Sequence, residues 1–433
     1  MNPLLLACPV SHAPPPPSSR TFRWATRETT NAWAGLNALK PGILVRRAFS
    51  WSAIQPTPTS AYNWSGPDAW INAATAAGLK VMAVVSQAPA WSNANPSDPS
   101  HLNGVAGNKY PFGHQDAFYA FCAAAAARYP QEKVAYWEIM NEPDLNNFDR
   151  GTGPYDWTGD HVGEILDGAA RVMVAARSTA KVIGIVRSTC LSSATAWTTA
   201  ALNRCRGAPI YGISWHDYSR PDAPESPSNQ GPMLNQINNS IGLCRANGFN
   251  GKFFITEFGC PTTYSGPRKP GYVSEANAAL WLPRQSLIHA SFAEIEASVQ
   301  FMFQGTSTAT EEGGMGLIRG PNDRGGPGET SAGAAGSFKP GYYSMKNLMA
   351  IVPDNSVVTR LSTGPLWKFQ FDKPNGDSGW AIWCTSGTVA APFTGLTPTV
   401  KVTQNDGTSA TVATTGGNLT LSATPAVQYV EPI

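Results

Sequence analysis

Runs of apolar and aromatic residues alternate with helix-like segments from residue 21 to residue 351. Such runs are typical of strands that are buried on both faces. Strands that alternate with helices pair in parallel through helical crossovers, and about eight such units close a barrel. The pattern therefore predicts an α/β fold, a (β/α)8 TIM barrel. An open doubly wound sheet is the alternative, but it would lack a ring of polar residues at the strand ends.

The predicted elements follow from the apolar periodicity and from the Gly and Pro residues between them. Strands are predicted at 21–25, 43–51, 79–87, 134–140, 181–187, 209–216, 252–257 and 297–303, the first being the least convincing. Helices are predicted at 31–39, 68–77, 115–129, 160–179, 194–203, 233–247, 275–296 and 340–351.

The chain on either side of this region has a different pattern. Residues 1–20 contain four consecutive prolines and predict an extended, disordered segment. Residues 352–433 contain short alternating runs at 357–358, 366–371, 379–384, 400–403, 410–412, 419–421 and 427–430, separated by Asn-Gly, Asp-Gly and Gly-Gly turns. This pattern predicts a C-terminal antiparallel β-sandwich. A structural role is favoured over a separate sugar-binding module, because no exposed aromatic row is evident.

A glutamate stands at the end of two of the predicted strands: Glu142 follows the fourth strand by two residues, and Glu257 is the last residue of the seventh. A carboxylate at the tip of a buried strand is costly unless it is paired or functional. Two carboxylates that face one another are what retaining glycoside hydrolysis requires, one protonated and one ionised. The alternative is that Glu142 lies in a simple turn and that Glu257 is a buried ion-pair partner.

These two stretches read YWEIMNEP at 136–143 and FFITEFGCPT at 253–262. They resemble the clan A glycoside hydrolases and are most similar to glycoside hydrolase family 39 and its neighbours. The resemblance implies that Glu142 is the acid/base and Glu257 the nucleophile. It also implies that Asn141 binds the 2-hydroxyl of the substrate and that a small β domain packs beside the barrel.

Glu138 lies four residues before Glu142, on the same predicted face and about 13 Å away at the usual strand rise. We expect it to be buried inside the barrel and paired with Arg46 or Arg47, because an isolated buried carboxylate would be protonated. The resemblance instead puts Arg46 beside the nucleophile, where it would keep Glu257 ionised. Both interpretations of Arg46 remain open at this stage.

Further candidates follow the strand ends. The resemblance implies that His216 or Tyr218 hydrogen-bonds Glu257, whereas Asp217 between them is expected to face outward. Trp51 and Trp91 are candidate platforms for sugar stacking, or else they pack beneath the rim. The Gly-rich segment 306–337 is long for a loop without a helix pattern and is expected to form one wall of the cleft.

Composition limits the other classes of function. Only 14% of the residues are Asp, Glu, Lys or Arg, against about 25% in average proteins, and there are 14 Trp. This favours a secreted or periplasmic protein that acts on neutral polymers. The net charge of +2 favours neither nucleic acid nor an anionic membrane, and no apolar run is long enough to span a bilayer. No motif for a metal or another cofactor is present, and a monomer is expected.

Seven cysteines are present without a Cys-x-x-Cys pattern. A disulfide between Cys190 and Cys205 is predicted, with Cys205–Cys244 as the alternative. Together the observations predict a retaining glycoside hydrolase that cleaves O-glycosidic bonds of an oligo- or polysaccharide by double displacement, with a catalytic barrel at 21–351 and an accessory domain at 352–433. The alternatives are a catalytically silent carbohydrate-binding barrel and a transglycosylase that uses the same glutamate pair.

Overall fold

The computed structural model describes residues 20–28, 30–92, 113–145, 158–218, 222–226, 232–262, 273–305, 314–321 and 335–433. The Pro-rich segment predicted at the N-terminus lies outside these residues, apart from residue 20, and so does most of the predicted cleft wall at 306–337. None of the helices in the described ranges is long and apolar enough to cross a membrane.

Eight parallel strands form a closed barrel in sequence order, and the eighth pairs with the first. The strands are β1 Arg23–Arg27, β2 Leu44–Ser50, β3 Lys80–Ser86, β4 Val134–Ile139, β5 Val182–Arg187, β6 Gly212–His216, β7 Lys252–Phe258 and β8 Ile295–Gln300. The helices are α1 Trp33–Leu39, α2 Trp51–Ile54, α3 Ser65–Ala76, α4 Gln115–Arg128, α5 Gly159–Ala176, α6 Thr195–Arg204, α7 Met233–Ala246, α8 Glu275–Ala290 and α9 Pro340–Ile351. The predicted TIM barrel is confirmed.

The weakly predicted first strand is present, but it lies two residues later than the sequence pattern indicates. β1 runs from Arg23 to Arg27 and pairs with both β2 and β8. Its beginning is fixed by the C-terminal part of the chain, because the backbone N–H of Trp24 donates to Asp354 and that of Phe22 to Asn355. Because β1 begins two residues later than predicted, it ends at the charged Arg27 and not at the apolar Ala25.

The helix predicted at 275–296 is too long. α8 ends at Ala290, and Glu296 belongs to β8. Its fully buried carboxylate accepts hydrogen bonds from the hydroxyls of Tyr136 and Tyr211, each at 2.6 Å. A buried carboxylate with such partners is stable inside a barrel, whereas the sequence pattern places the same residue at the end of a helix.

The barrel interior is apolar over the part that lies away from the C-terminal ends of the strands. Nine buried side chains form this inner cluster: Ala25, Leu44, Met82, Ala135, Tyr136, Ile183, Phe254, Ala297 and Val299. A much larger cluster lies between the strands and the surrounding helices. Polar side chains enter the interior beyond the apolar part, at the C-terminal ends of the strands, where the active sites of TIM barrels lie.

The C-terminal residues form a six-stranded antiparallel sheet in the order β14-β13-β16-β11-β10-β9, with a second sheet of β12 and β15. The strands are β9 Val357–Thr363, β10 Leu366–Asp372, β11 Ser378–Cys384, β12 Val389–Phe393, β13 Thr399–Thr403, β14 Ser409–Ala413, β15 Leu419–Ala423 and β16 Gln428–Pro432. The predicted β-sandwich is confirmed. The sequence pattern misses only β12, which contains Pro392, a residue normally found in edge strands.

The sandwich and the barrel share one apolar core. The rings of Trp367, Phe369 and Trp383 stack within 4.9–6.2 Å of one another, and they belong to the same cluster as the outer face of the barrel. Trp383 also donates its indole N–H to the buried Glu225 at 2.6 Å, and Arg284 pairs with that carboxylate at 3.3 Å. These contacts favour the structural role of the sandwich, and the domain boundary at residue 352 stays a prediction.

The predicted disulfides are wrong. All six cysteines in the described part of the chain are buried thiols that form no disulfide, including Cys190, Cys205 and Cys244. Burial raises the pKa of each of these three thiols, so they remain protonated and pack as small apolar side chains. Cys8 lies outside the described residues.

Candidate active site

The segment that carries Glu142 follows β4 and has an unusual backbone. Met140 and Glu142 both have left-handed conformations, with φ of 70° and 47°. The N–H of Met140 donates to the carbonyl of Val85 on β3 at 2.9 Å, and that of Glu142 donates to the carbonyl of Val186 on β5 at 3.0 Å. Such conformations cost about 1–3 kcal/mol in residues other than glycine. The two neighbouring strands therefore fix the position of Glu142.

A bulge on β7 directs Glu257 into the barrel. Trp215 pairs with Ile255, but the next residue of β6, His216, pairs with Glu257. Ile255 and Phe258 pack outward in the large outer cluster. Strict alternation from Ile255 would therefore turn Glu257 outward as well. The additional residue in β7 reverses this, since a bulge re-aims the side chains that follow it.

Glu142, His216 and Glu257 meet at the C-terminal end of the barrel. One side-chain nitrogen or oxygen of each lies within 4.8 Å of the other two. His216 Nδ1 is 2.7 Å from Glu142 Oε1 and 3.4 Å from Glu257 Oε2. The side chain of Glu142 is 20% exposed and that of Glu257 is 7% exposed, whereas His216 is fully buried. The arrangement presents two carboxylates side by side, with the imidazole behind them.

Arg46 contacts both glutamates that the sequence offered as its alternative partners. Its Nε donates to Glu138 at 2.6 Å and its Nη1 to Glu257 at 2.5 Å. Its Nη2 donates to the side-chain oxygen of Asn141 at 2.6 Å. Glu138 is fully buried and ion-paired, as predicted. Arg47 is not its partner, because Arg47 lies near the rings of Trp33 and Trp70 and donates to Asn31.

These contacts keep Glu257 ionised. Burial alone would raise the pKa of Glu257, but attraction to His216, Arg46 and Arg27, with a hydrogen bond from Tyr218, lowers that pKa below its usual value. The Tyr218 hydroxyl donates to Glu257 Oε2 at 2.8 Å. Burial would lower the pKa of His216, but the two carboxylates raise it above its usual value. Of the two predicted partners, Tyr218 therefore makes the shorter contact with Glu257, and His216 is closer to Glu142.

Asp217 points out of the barrel interior, as predicted, but it is buried against α8 rather than exposed to solvent. It is 2% exposed, and its carboxylate lies 3.2 Å from Nε2 of the fully buried His289 on α8. The other nitrogen of His289 is 2.8 Å from the hydroxyl of Ser298. The backbone N–H of Asp217 donates to the carbonyl of Glu257 at 2.8 Å. These contacts hold the backbone of Glu257, at the end of β7, from the outer side of the barrel.

Of the two tryptophans proposed as sugar platforms, Trp51 does not fit that role. It is fully buried, and its ring stacks on Phe121 at 5.8 Å and contacts Phe118 at 5.4 Å, so it offers no face to a ligand. Trp91 is partly buried against the same aromatic cluster and its N–H lies 3.3 Å from the carbonyl of Gln55. Its role as a platform stays a prediction.

Two residues near this site escape the sequence analysis. Arg27 ends β1, and its guanidinium carbon lies 4.4 Å from the ring centre of Phe301, directly after β8. The predicted first strand stops at residue 25, so the pattern does not assign Arg27 to a strand end. Phe301 falls inside the predicted eighth strand, where it is indistinguishable from a core residue.

Within the described ranges, Glu142, His216 and Glu257 are also the group whose ligand atoms converge closely enough to hold a metal ion. Arg46 already donates to Glu257 at 2.5 Å and carries a fixed positive charge there. A cation bound to the same carboxylate would be repelled by that charge. The set therefore fits an arginine-paired acid site better than a metal site, and the predicted absence of a cofactor stays a prediction.

Comparisons with proteins of known structure agree with the fold. A family 39 glycoside hydrolase from the gut symbiont Bacteroides cellulosilyticus has a TM-score of 0.70 at 17% sequence identity, covering 96% of this chain and 82% of that one. A family 39 β-xylosidase from Caulobacter crescentus has a TM-score of 0.64 at 15% identity, with 97% of each chain covered. The catalytic domain of a family 30 xylanase from Talaromyces cellulolyticus has a TM-score of 0.63 at 15% identity, covering 96% and 98%.

The sequence itself matches one family model. None of the curated proteins matches it significantly. The model of the family described as cellulase, glycosyl hydrolase family 5, matches residues 16–293, well over half of the 433 residues. That span contains both glutamates and seven of the eight barrel strands. The chain belongs to the cellulase family, glycosyl hydrolase family 5, and is a clan A glycoside hydrolase whose substrate is a carbohydrate.

Proposed function

We propose that this glycoside hydrolase cleaves an O-glycosidic bond of an oligo- or polysaccharide with retention of configuration, using Glu257 as the nucleophile and Glu142 as the acid/base. The observation that carries the proposal is the approach of the two carboxylates, whose oxygens lie within 4.8 Å. Retaining enzymes hold their carboxyl groups about 5–5.5 Å apart, whereas inverting enzymes need about 6.5–9.5 Å to admit a water molecule.

The surroundings of the two glutamates support this division of roles. Glu257 accepts hydrogen bonds from Arg46 and Tyr218, and its lowered pKa keeps it ionised and able to attack the anomeric carbon. Glu142 has no arginine or lysine contact in the described residues, and His216 Nδ1 lies 2.7 Å from it. The proposed role of this carboxyl group is to give its proton to the leaving oxygen.

The reaction then has two steps. A carboxylate oxygen of Glu257 bonds to the anomeric carbon while the glycosidic bond breaks and the Glu142 proton passes to the leaving oxygen. Water then attacks the glycosyl-enzyme, gives its proton to Glu142 and releases Glu257. Asn141, which Arg46 holds at 2.6 Å, is proposed to bond the 2-hydroxyl, a contact that strengthens toward the transition state.

The test is the configuration of the product at the moment of cleavage. Proton NMR of an oligosaccharide digest, recorded before mutarotation, should show the anomer of the substrate first. The opposite anomer would refute double displacement. The same spectra detect transfer to an acceptor sugar, which separates hydrolysis from transglycosylation because both pass through the same glycosyl-enzyme.

A secreted or periplasmic location is part of the same proposal. The support is compositional, because only 14% of the residues are charged and 14 are Trp. Immunodetection in the culture fluid, periplasm and cytoplasm of the producing cell tests it, and a signal confined to the cytoplasm would refute it.

Tyr218→Phe should move the acid limb of activity to higher pH. The variant loses the O–H that donates to Glu257 at 2.8 Å. A hydrogen bond to a charged group contributes about 1.5–3 kcal/mol, equivalent to about one to two pKa units. Because the bond favours the ionised form, its loss raises the pKa of Glu257, and the ascending limb of kcat/KM moves upward by up to that amount. Tyr119→Phe is the control, since Tyr119 bonds a carbonyl on α5. If the ascending limbs of kcat/KM for Tyr218→Phe and wild type lay at the same pH, the proposed effect of Tyr218 on the pKa of Glu257 would be contradicted.

A further inference from the structure

Arg27 faces the interior of the barrel at the end where the two glutamates lie. Ala25, two residues earlier on β1, belongs to the inner cluster, and side chains two apart on a strand share a face. Arg27 also pairs in register with Arg46 on β2, and Arg46 reaches Glu257. The two arginines are therefore neighbours on the inner face of adjacent strands.

The charge of Arg27 is not compensated in the way that the charge of Arg46 is. Arg46 donates to two carboxylates and one amide oxygen. Among the described residues, the Arg27 guanidinium has no hydrogen-bond acceptor and no ion-pair partner. It is partly exposed and lies over the ring of Phe301, with its central carbon 4.4 Å from the ring centre. Within the part of the chain that the structure describes, its donors therefore remain available to a ligand.

We propose that Arg27 binds the carboxylate of an acidic sugar, a uronosyl residue, held in the substrate position beside Glu257. The guanidinium presents a planar fork of N–H donors that matches a carboxylate through two parallel hydrogen bonds. The ring of Phe301 lies against the guanidinium and limits its rotation. A sugar hydroxyl would engage one donor at a time, whereas a carboxylate engages two and balances the charge. This inference rests on the proposed function, because it concerns the sugar that Glu257 attacks.

A second explanation of Arg27 predicts a different result. If this arginine only favoured the ionised form of Glu257, its removal would slow every substrate by the same factor. If it binds a substrate carboxylate, removal affects only substrates that carry one. Pairs of substrates that differ solely at C6 distinguish the two.

The experiment compares such pairs. They are the 4-nitrophenyl β-glucuronide and β-glucoside, the β-galacturonide and β-galactoside, and cello-oligosaccharides with their C6-oxidised counterparts. Wild type should have the higher kcat/KM on the carboxylated member of at least one pair. Arg27→Gln should lower that value by about 30- to 5,000-fold, the range for loss of one partner of a desolvated charge pair. It should lower the value for the neutral member only a few-fold, through the loss of its attraction to Glu257. Arg27→Lys should give an intermediate value, because it keeps the charge and loses the fork.

Arg47→Gln is the matched control. Arg47 lies next to Arg46 on β2 and also contacts an aromatic ring, 5.0 Å from the ring centre of Trp70, but it points away from the glutamates. It should change neither member of a pair. Equal losses on both members in Arg27→Gln, or a neutral preference of wild type in every pair, would overturn the proposal while leaving the glutamate mechanism intact. Absence of turnover by wild type on every carboxylated member would overturn the uronosyl proposal, whereas the anomer of the product from any substrate that is cleaved still decides the glutamate mechanism.

Discussion

Glu257→Ala is expected to abolish turnover of every substrate, whatever its leaving group. Loss of a catalytic nucleophile can cost on the order of 10⁶-fold in kcat. No other described carboxylate occupies the same place, because Glu138 is fully buried against Arg46. Initial rates on the natural polymer and on activated aryl glycosides measure the loss. Glu164→Ala on the exposed side of α5, where Glu164 pairs with Arg204, is the control and should keep full activity.

Glu142→Ala should lose the first step of the reaction only on substrates with a poor leaving group. This result would separate the acid/base role of Glu142 from the nucleophilic role of Glu257. A sugar leaving group needs the proton, so its hydrolysis should fall by about 10²–10⁴-fold, the usual contribution of general acid–base catalysis. A dinitrophenolate leaves without help, so the first step should survive and the glycosyl-enzyme should accumulate. Mass spectrometry of the intact protein detects that adduct.

Azide provides a stereochemical check on the same pair of variants. It needs no base, so with Glu142→Ala it should attack the glycosyl-enzyme and give a glycosyl azide of retained configuration. With Glu257→Ala it should enter from the opposite face and give the inverted azide. The reverse pattern would exchange the roles of the two glutamates, and full activity of both variants would refute the proposed mechanism.

Arg46→Met should damage both stability and activity, because one guanidinium is bonded to Glu138, Glu257 and Asn141. Removing one partner of a buried ion pair costs about 3–5 kcal/mol, since the remaining charge is left unpaired. The pKa of Glu257 should rise, so the ascending limb of kcat/KM should move to higher pH. The stability from the lowered Glu257 pKa is fully present above about pH 4.3, the unfolded value. It disappears as the pH falls through the folded-state pKa.

The double variant Arg46→Met with Glu138→Gln separates stability from catalysis. It replaces the unpaired Glu138 carboxylate with an amide, so urea unfolding should show that part of the lost stability returns. Activity should remain low, because Glu257 and Asn141 still lack their partner. Restored activity in the double variant would mean that Arg46 acts only through Glu138, and an unchanged unfolding free energy in Arg46→Met would contradict its structural role.

The sequence alone determined the barrel, the sandwich and the pair of strands that carry Glu142 and Glu257. These features have local signals. A strand buried on both faces must be apolar, a helix packed on a sheet must be amphipathic, and a charged residue at the end of a buried strand stands out against that background. The same reasoning correctly placed Glu138 inside the barrel.

Tertiary structure decided the features that depend on several strands at once. Strict alternation along β7 would turn Glu257 outward with Ile255, and only the register against β6 shows the bulge that reverses it. Asp217, which points out of the barrel, is buried because α8 covers it and places His289 Nε2 at 3.2 Å from its carboxylate.

The partners of Arg46 could be identified only from the tertiary structure, for a similar reason. The sequence offered Glu138 and Glu257 as alternatives, because a sequence shows which residue types are present but not how many acceptors converge on one guanidinium. Its three nitrogen donors contact Glu138 on β4, Glu257 on β7 and Asn141 in the loop after β4 at the same time. Trp51 shows the opposite case, since its position after β2 suggested a sugar platform and the rings of α4 cover it. Local patterns fix which strands and helices form, whereas contacts between residues far apart in the chain fix where each side chain points.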